Sequence, residues 1–271
     1  MSTDYSDFDP VGYLRMRFTK EGNPEMLASK FETLDFLHRF CEDYSKLWDP
    51  SEAVAVEVAG GPSILNLICI APHIHKVVFS DLVPACLKQI ELWKQKSPNA
   101  FNWTPFFEYA VKECSGNITG DAASKVSQRE DELRSKLSHM CTCDLTKDPI
   151  ISPEDVPKGG FHLLVMSGAF EVVAKDEEDF FCMLKRCNNL LRDGGYMVAV
   201  IHAKQSWYKV TPQDEKTLHT FPIHPEMVHK GLARSGFVVE RFGEYGARKA
   251  AFSPIEAIYR FVAKKEPQKS C

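Results

Sequence analysis

The chain has 271 residues, of which 44% are hydrophobic and 26% charged, and its formal net charge is −4. This balance excludes the strongly basic composition typical of nucleic-acid-binding proteins and gives no reason to expect an anionic membrane as a partner. The longest apolar runs, such as residues 67–72, are too short to span a bilayer, and residues 1–5 lack the features of a signal peptide. We therefore expect a globular, cytoplasmic protein with neither a membrane nor a nucleic-acid partner.

The nine cysteines are an odd count and are scattered mostly through apolar segments. This usage predicts reduced thiols in a cytosolic protein. Cys141 and Cys143 are separated by one residue, but no second pair supports a metal-ligand spacing. The sequence therefore predicts no metal site.

The first 48 residues are predicted to form a helical arm. Tyr13, Leu14 and Phe18 have the spacing of a short amphipathic helix, and apolar residues from 23 to 48 recur at three- and four-residue steps. The aromatic first helix could pack on the core, or it could fold over a bound cofactor as a lid. The sequence leaves both possibilities open.

Residues 54–65 contain the feature on which the rest of the chain depends. A β-branched run ends near Glu57, two glycines follow at Gly60 and Gly61, and an apolar segment opens with Pro62. This order predicts a buried strand, a tight turn and a helix that begins at Pro62. Glycines lack the Cβ atoms that would keep a cofactor away from the turn.

The residues of this turn favour S-adenosylmethionine over a dinucleotide. A dinucleotide site requires G-x-G-x-x-G with N–H groups aimed at phosphate, but Ala59 replaces the first glycine and Pro62 removes a donor. S-adenosylmethionine has no phosphate and requires an acceptor for its amino group and a carboxylate for its ribose. Glu57 could be the acceptor for the amino group. Asp81 lies at about the spacing (roughly 20 residues) of a ribose-binding acid. A plain strand-to-helix turn is the alternative.

The remainder of the chain alternates strand-like and helix-like segments. Strands are predicted at 76–81, 139–145, 161–166, 196–203, 237–242 and 257–263, and helices at 84–96, 130–138, 176–191 and 224–235. The segment 115–124 is predicted to be a connector, residues 192–195 a glycine C-cap, and the polar tail from residue 264 frayed. The last two strands follow each other without an obvious helix, which predicts an antiparallel pairing in an otherwise parallel α/β sheet.

Five side chains stand at or near the carboxyl ends of these predicted strands, where ligands bind in parallel α/β sheets. They are Glu57, Asp81, Asp144, Ser167 and His202. Because the carboxyl ends of parallel strands meet at one edge of the sheet, the sequence predicts a single shared site there.

Short segments spread over nearly the whole chain resemble one enzyme family. They are Phe8-Asp9-Pro10-x-x-Tyr13-Leu14, Glu57-Val58-Ala59-Gly60-Gly61-Pro62-Ser63-Ile64, Ser80-Asp81, Cys143-Asp144-Leu145-Thr146, Leu190-Leu191-Arg192-Asp193-Gly194-Gly195 and Ser206-Trp207-Tyr208. Gly-Gly turns occur in many methyltransferases, but the Gly-Gly-Pro-Ser, Cys-Asp-Leu-Thr and Ser-Trp-Tyr segments in this order are specific. The chain resembles the nicotinamide, phenylethanolamine and indolethylamine N-methyltransferase family.

The resemblance implies an α/β fold of the Rossmann-like class I methyltransferase type. This fold has a seven-stranded, mostly parallel sheet with an antiparallel last strand, helices on both faces and an N-terminal helical lid. One S-adenosylmethionine-dependent methyltransferase domain is expected over 1–271, with an arm at 1–48 and a polar tail at 264–271. The expected protein is a monomer that transfers a methyl group from S-adenosylmethionine to the nitrogen of a small amine or N-heterocycle.

The resemblance also implies which residues form the site. Those expected to bind the cofactor are Tyr13, Phe18, Glu57, Gly60, Gly61, Pro62, Ser63, Asp81, Leu82, Cys86, Cys143, Asp144, Leu145, Ser167, Gly168 and Ala169. Those expected to bind the acceptor are Tyr13, Phe170, His202, Gln205, Ser206 and Tyr208. Glu171 is the expected catalytic residue, a carboxylate that attracts an amine and takes its proton, directly or through water.

Several positions on the cofactor side depart from the family pattern. Arg17 and Phe18 stand where tyrosines are usual in the arm. Leu65 replaces a tyrosine near the methionine carboxylate, and Cys86 replaces a polar residue near the ribose. Arg17 as the group that holds the cofactor's carboxylate is therefore a hypothesis.

On the acceptor side, His202 replaces the aspartate that the nicotinamide enzyme presents to its carboxamide. Gln205 stands where the phenylethanolamine enzyme has a glutamate. These changes leave the acceptor open, and a pyridine N-methyltransferase is one alternative. A catalytically weak or dead protein that binds S-adenosylmethionine or S-adenosylhomocysteine is another, and an NAD-linked oxidoreductase on the same fold is a third.

Overall fold

The computed structural model describes residues 5, 7–114, 121–250 and 252–267. Its strands are β1 (Val54–Glu57), β2 (Lys76–Asp81), β3 (Leu137–Thr142), β4 (Phe161–Ser167), β5 (Leu191–Ala203), β6 (Trp207–Tyr208), β7 (Leu218–His219), β8 (Phe237–Tyr245), β9 (Arg248–Ala250), β10 (Ser253–Ile255) and β11 (Ala257–Lys265). Seven of them form one sheet in the order β3-β2-β1-β4-β5-β11-β8, in which only β11 runs antiparallel to its neighbours. The predicted sheet, with its antiparallel last strand, is confirmed.

Helices cover both faces of this sheet, as predicted. They are α1 (Pro10–Phe18), α2 (Pro24–Tyr44), α3 (Leu67–Ile70), α4 (Pro84–Lys94), α5 (Thr104–Tyr109), α6 (Ala122–Lys136), α7 (Phe170–Val173), α8 (Glu177–Leu190) and α9 (Pro225–Arg234). The sheet needs this double cover because its central parallel strands are apolar on both sides.

Alternate residues of each central strand face two separate cores, as the period of a β-strand requires. In β1, Ala55 packs into the core that α2 to α6 cover, whereas Val56 packs into the core that α8 and α9 cover. In β4, Leu163 packs into the first of these cores and Leu164 into the second. The two packed faces fix the sheet, so that the carboxyl ends of its parallel strands present their loops at one edge.

The N-terminal arm is anchored by conventional helix caps. Asp9 accepts hydrogen bonds from the backbone N–H groups of Val11 and Gly12 at the start of α1, and Asn23 accepts one from Met26 at the start of α2. A proline occupies the first position of each helix, where its missing N–H costs nothing. The predicted helices of the arm are therefore present.

The prediction that a helix begins at Pro62 is wrong. Residues 60–66 form turns, and the helix α3 begins only at Leu67. Gly61 has a φ of +61°, which is outside the helical region, and the side chain of Asn66 reaches back to donate a hydrogen bond to Glu57. These two features keep the segment after β1 as a wide turn.

Three other predicted boundaries are also corrected. Residues 192–195 are part of β5 rather than a helix cap, because α8 ends at Leu190 and Leu191 already pairs with β4. The tail predicted to fray from residue 264 continues β11 to Lys265, whose ammonium donates to the carbonyl of Leu191 at 2.6 Å. The predicted connector at 115–124 gives way to α6 from Ala122, and its residues 115–120 lie outside the described residues.

None of the helices in the described part of the chain combines the length and the apolar character that crossing a lipid bilayer requires.

Candidate active site

A cavity of about 150 Å³ lies at the carboxyl ends of β1, β2, β4 and β5. Tyr13 and Arg17 of α1 form part of its wall. Beside it, a groove of about 760 Å³ follows the ends of β2 and β3, and Leu82 and Val83 belong to both. Cavity and groove together form one continuous crevice at the edge of the sheet where the sequence predicts a shared site.

The glycine turn after β1 forms one side of the cavity. A Cβ atom on Gly60 would lie 2.5 Å from the ring of Phe79 and 2.7 Å from Cγ of Glu57, so only glycine fits there. A Cβ on Gly61 would meet nothing within 4 Å, but its φ of +61° favours glycine. The turn therefore exposes backbone, with no side chain above it, to whatever occupies the crevice.

Asp81 is held in place by the turn that it faces. Its Oδ2 accepts a hydrogen bond from the N–H of Gly61 at 2.7 Å, and its Oδ1 accepts one from the N–H of Val83 at 2.8 Å. Burial raises the pKa of this carboxyl. A carboxylate has roughly four lone-pair positions, so Asp81 keeps the capacity to accept hydrogen bonds from a ligand.

Glu171 and His202 form a pair on the opposite wall, where β4 leads into α7 and β5 ends. Oε1 of Glu171 lies 3.2 Å from Nδ1 of His202 and also accepts a hydrogen bond from the backbone N–H of His202 at 3.1 Å. A Cβ on Gly168 would lie 3.0 Å from the His202 ring, so this glycine leaves the space that the imidazole occupies.

The electrostatics of this pair define the protonation state of the imidazole. Burial lowers the pKa of His202, although Glu171 opposes the shift, so the ring is neutral at pH 7. Since Nδ1 faces a carboxylate oxygen, we assign the ring proton to Nδ1, which leaves a lone pair on Nε2. Among the described residues Nε2 has no hydrogen-bond partner, and His202 lines the cavity.

Two cations also line this cavity. Arg17 donates hydrogen bonds to the carbonyls of Val210 at 2.9 Å and Lys209 at 3.1 Å. Lys30 of α2 is buried, with its ammonium nitrogen 4.9 Å from the centre of the Phe18 ring. Burial, reinforced by Arg17 and Arg260, lowers the pKa of Lys30 to about 7.

Comparison with known proteins gives the family. The sequence profile of the NNMT/PNMT/TEMT family matches residues 1–266. The chain belongs to the NNMT/PNMT/TEMT family. It is 23% identical to human nicotinamide N-methyltransferase over 266 residues, covering 97% of this chain and 95% of that protein. It is 25% identical to mouse indolethylamine N-methyltransferase over 236 residues, which cover 86% of this chain and 83% of that protein.

Solved structures show the same fold at low sequence identity. Magnesium protoporphyrin IX methyltransferase from Synechocystis, solved with bound S-adenosylmethionine, has a TM-score of 0.56 and 12% identity, covering 97% of this chain and 93% of that one. An S-adenosylmethionine-dependent methyltransferase from Methanosarcina mazei has a TM-score of 0.52 and 12% identity, and the match covers 80% of this chain and 94% of that one. The fold of this NNMT/PNMT/TEMT family member is therefore that of S-adenosylmethionine-dependent methyltransferases.

The cofactor of this family is S-adenosylmethionine, and the crevice fits it. The open space above Gly61 admits a ligand against the backbone, and Asp81 beside it keeps unused acceptor capacity. Pro62 lines the cavity at a position where a pyrophosphate would require an N–H donor. The site therefore suits a nucleoside that carries no phosphate.

The structure brings most of the predicted site residues to this crevice. The cavity is lined by Tyr13, Gly60, Gly61, Pro62, Asp81, Leu82, Ser167, Gly168, Ala169, Glu171, His202, Gln205 and Tyr208, and the groove by Leu82, Cys143, Asp144 and Leu145. Their individual roles in binding and catalysis stay predictions.

Two predicted aromatic residues lie in the core instead of at the crevice. Phe18 packs edge-on against Trp103 and Phe106, and Phe170 packs edge-on against Phe180. Both residues are buried, and neither is among the described residues that line the cavity. The wall beside Glu171 is supplied by Val172, the next residue but one after Phe170.

Four predicted polar residues also lie outside the walls formed by the described residues. Glu57 is buried below the turn, where burial raises its pKa to about 8 and its Oε2 has no hydrogen-bond partner. Cys86 is buried with its thiol beside Asp81, and Ser63 uses its hydroxyl to accept from the N–H of Leu65. Ser206 is exposed, and only its carbonyl is used, by Thr220.

Sequence reasoning missed several residues of the cavity, of which Lys30 matters most. Met26, Val172, Ser253 and Ile255 also line it. Lys30 lies three residues after Leu27 and four before Leu34, so it falls on the apolar stripe of α2. A charged residue in such a stripe was the available signal.

A cluster at the surface bears on the prediction of no metal. Ligand atoms of His139, Cys141 and Asp155 lie within 4.8 Å of one another. His139 Nε2 already contacts Asp155 at 2.8 Å, and burial, with Asp155 nearby, raises the pKa of Cys141 to about 12, so its thiol is protonated. The absence of a metal stays a prediction. Among the residues whose side chains the structure describes, seven cysteines are free thiols.

Proposed function

We propose that this protein transfers a methyl group from S-adenosylmethionine to the nitrogen of a small amine or N-heterocycle. The observation that carries the proposal is the Glu171–His202 pair on the wall of the cavity that the glycine turn also lines. Bound S-adenosylmethionine supplies an electrophilic methyl carbon attached to a sulfonium. The residues of the chain must then bring an acceptor nitrogen with a free lone pair into line with that carbon.

The glycine turn and the groove provide the cofactor half of the proposed site. Gly60 and Gly61 offer bare backbone, and Asp81 offers a fixed carboxylate for the ribose hydroxyls. The groove beyond Leu82, lined by Cys143 and Leu145, is an apolar slot of the kind that takes a nucleobase.

In this proposal, His202 is the general base that removes the proton of the acceptor. An aliphatic amine is protonated at neutral pH and must lose a proton before its lone pair can form the bond to carbon. The neutral imidazole accepts that proton on Nε2, while Glu171 holds Nδ1–H and stabilises the resulting imidazolium. The nitrogen lone pair becomes the new N–C bond, the S–C electron pair stays on sulfur, and the proton stays on His202 until water removes it.

This assignment makes Glu171 a positioning residue rather than the base itself. Oε1 of Glu171 is occupied by both the backbone N–H and Nδ1 of His202. Its Oε2 is buried without a hydrogen-bond partner among the described residues, so this oxygen faces no group that would relay a proton. The pocket also contains the aromatic rings of Tyr13 and Tyr208, which can pack on a flat or cationic acceptor.

A radiolabelled methyl-transfer screen tests the proposal across phenylethylamines, indolethylamines, pyridines and thioethers. His202→Gln should reduce transfer to an aliphatic amine by about 10²- to 10⁴-fold, the usual contribution of a general base. Transfer to a pyridine should fall much less, because its ring nitrogen is already neutral. His219→Gln, at an exposed histidine of β7, is the matched control and should leave both rates unchanged.

Three results would count against the proposal. An equal loss on amines and pyridines in His202→Gln would remove the base assignment. Tight binding of S-adenosylhomocysteine without transfer to any member of the panel would favour a binding protein. Calorimetric binding of NAD in place of S-adenosylhomocysteine would favour an oxidoreductase.

A further inference from the structure

Lys30 is a buried lysine for which the proposed methyl transfer has no use. Its side chain is 6% exposed, and its ammonium nitrogen lies 4.9 Å from the centre of the Phe18 ring. Within the described chain it forms no hydrogen bond and no ion pair, yet it lines the cavity. A buried lysine without a partner is rare, because removing a charge from water is costly unless an opposite charge compensates.

The charges around Lys30 leave it without a dedicated counter-ion. Arg17, on the same cavity, hydrogen-bonds to backbone carbonyls, whereas the neighbouring Arg260 is paired with Glu32 at 3.1 Å. Glu171 is the carboxylate that attracts Lys30, but its Oε1 is already occupied by His202. Its Oε2 has no hydrogen-bond partner among the described residues, and the two side chains form no ion pair within 4.0 Å. A bound sulfonium would add a further positive charge to the cavity that Lys30 and Arg17 line.

Lys30 belongs to the acceptor end of the cavity. The groups that it influences electrostatically include His202, and Glu171 in turn acts on Lys30. At the cofactor end, Asp81 is governed instead by burial and by the amides of Val83 and Gly61. An anion that neutralises Lys30 would therefore sit beside the Glu171–His202 pair.

We propose that Lys30 makes the pocket selective for an acceptor that carries a carboxylate in addition to its nucleophilic nitrogen. The chemical class is an amino acid or a heteroaromatic acid, whose carboxylate forms a charge-assisted hydrogen bond with the Lys30 ammonium while its nitrogen faces His202. This inference rests on the proposed function, because it concerns the acceptor of the same site.

Binding to the complex with S-adenosylhomocysteine tests the inference without turnover. Isothermal titration calorimetry compares phenylalanine with phenylethylamine, tryptophan with tryptamine, and nicotinate with nicotinamide, pairs that differ mainly in the carboxylate. In at least one pair the wild-type complex should bind the acid ten times more tightly or better. Lys30→Met should abolish that preference, and Lys30→Arg, which keeps the charge, should retain most of it.

Two controls keep the outcome specific. Lys88→Met removes the same charge from an exposed position on α4 and should leave the preference unchanged. Thermal melting of each variant confirms that it is folded before binding is compared. S-adenosylhomocysteine affinity should be unchanged in Lys30→Met.

Three outcomes would overturn the inference. They are the failure of every acid to bind the complex, an acid preference that survives Lys30→Met, and a loss of S-adenosylhomocysteine affinity in Lys30→Met with no change in acceptor preference. The last result would assign Lys30 to the cofactor's own carboxylate. An acid that binds through Lys30 but is never methylated would contradict the proposed function while leaving the carboxylate selectivity in place.

Discussion

At Gly168, the missing Cβ decides where the imidazole of His202 can lie. The backbone has a φ of +70°, and a Cβ there would lie 3.0 Å from Nδ1 of His202 and 3.6 Å from Oε1 of Glu171. A contact of 3.0 Å is too close for a side chain that is packed on a buried carboxylate. Gly168 therefore permits the contact between Glu171 and His202 because it has no Cβ. It forms no hydrogen bond to either side chain.

We expect Gly168→Ala to fold but to lose most transfer to aliphatic amines. The positive φ should destabilise the variant by about 1–2 kcal/mol, and the displaced imidazole should lower the rate at least tenfold. Rates with amine and pyridine acceptors, together with urea denaturation, measure the two effects. Gly159→Ala is the matched control, because its φ of +87° brings the same backbone strain while its Cβ would meet nothing within 4 Å. Equal losses of activity in both variants would contradict a local effect on His202.

Single residues were predictable from the sequence where a backbone turn fixes them. Gly61 and Asp81 follow strands whose ends are visible in the sequence, and the structure brings them together at 2.7 Å. Phe18 and Phe170 lie in the core, and their roles in binding stay predictions, because a resemblance carries a position along the chain but not the direction of a side chain on a helix. The orientation of each ring depends on packing partners such as Trp103 and Phe180, which are distant in sequence.

At the scale of elements, α1 is fastened across the site by Arg17. The guanidinium hydrogen-bonds to the carbonyls of Lys209 and Val210 and lies 4.5 Å from the centre of the Tyr13 ring. The cavity that α1 helps to line, at about 150 Å³, continues into the groove of about 760 Å³. A lid function for α1 stays a prediction.

Replacing Arg17 should loosen this helix. Arg17→Met keeps most of the aliphatic stem but removes both hydrogen bonds, so we expect faster amide hydrogen exchange over residues 10–18 and release of S-adenosylhomocysteine at least tenfold faster. Exchange followed by mass spectrometry and stopped-flow displacement measure the two effects. Arg15→Met, on the exposed side of the same helix, should change neither. Faster release with unchanged exchange would support instead the hypothesis that Arg17 holds the cofactor's carboxylate.

Most elements of the sheet could be predicted, because buried parallel strands are continuous apolar runs. The segment after β1 could not, since it depends on a hydrogen bond between Asn66 and Glu57 that no local pattern reveals. The short hairpin of β9 and β10 was also missed, although it places Ser253 and Ile255 on the cavity wall. Its strands have three residues each, too few to show an alternation of apolar and polar positions.

At the scale of the whole molecule, Glu57 and Lys30 are buried ionisable groups whose burial makes the stability of the protein depend on pH in opposite directions. Burial raises the pKa of Glu57 from 4.5 to about 8, so the folded state binds more protons than the unfolded state between these values and stability falls as pH rises. Burial lowers the pKa of Lys30 from 10.5 to about 7, so the folded state binds fewer protons and stability rises with pH between these values.

Lys30→Met should therefore stabilise the protein without ligands, and more so at low pH. Since the unfolded chain protonates Lys30 more readily than the folded chain, the advantage of the variant over wild type should grow by about 3 kcal/mol between pH 9.5 and pH 6. Urea denaturation at the two pH values measures this difference in the free energy of unfolding. The contribution of Glu57 cancels in the difference, because both proteins contain it. Lys88→Met, whose lysine is exposed, should show no such growth. A difference between Lys30→Met and wild type that is the same at both pH values would mean that the lysine is not desolvated, and the site would then need no anion to balance it.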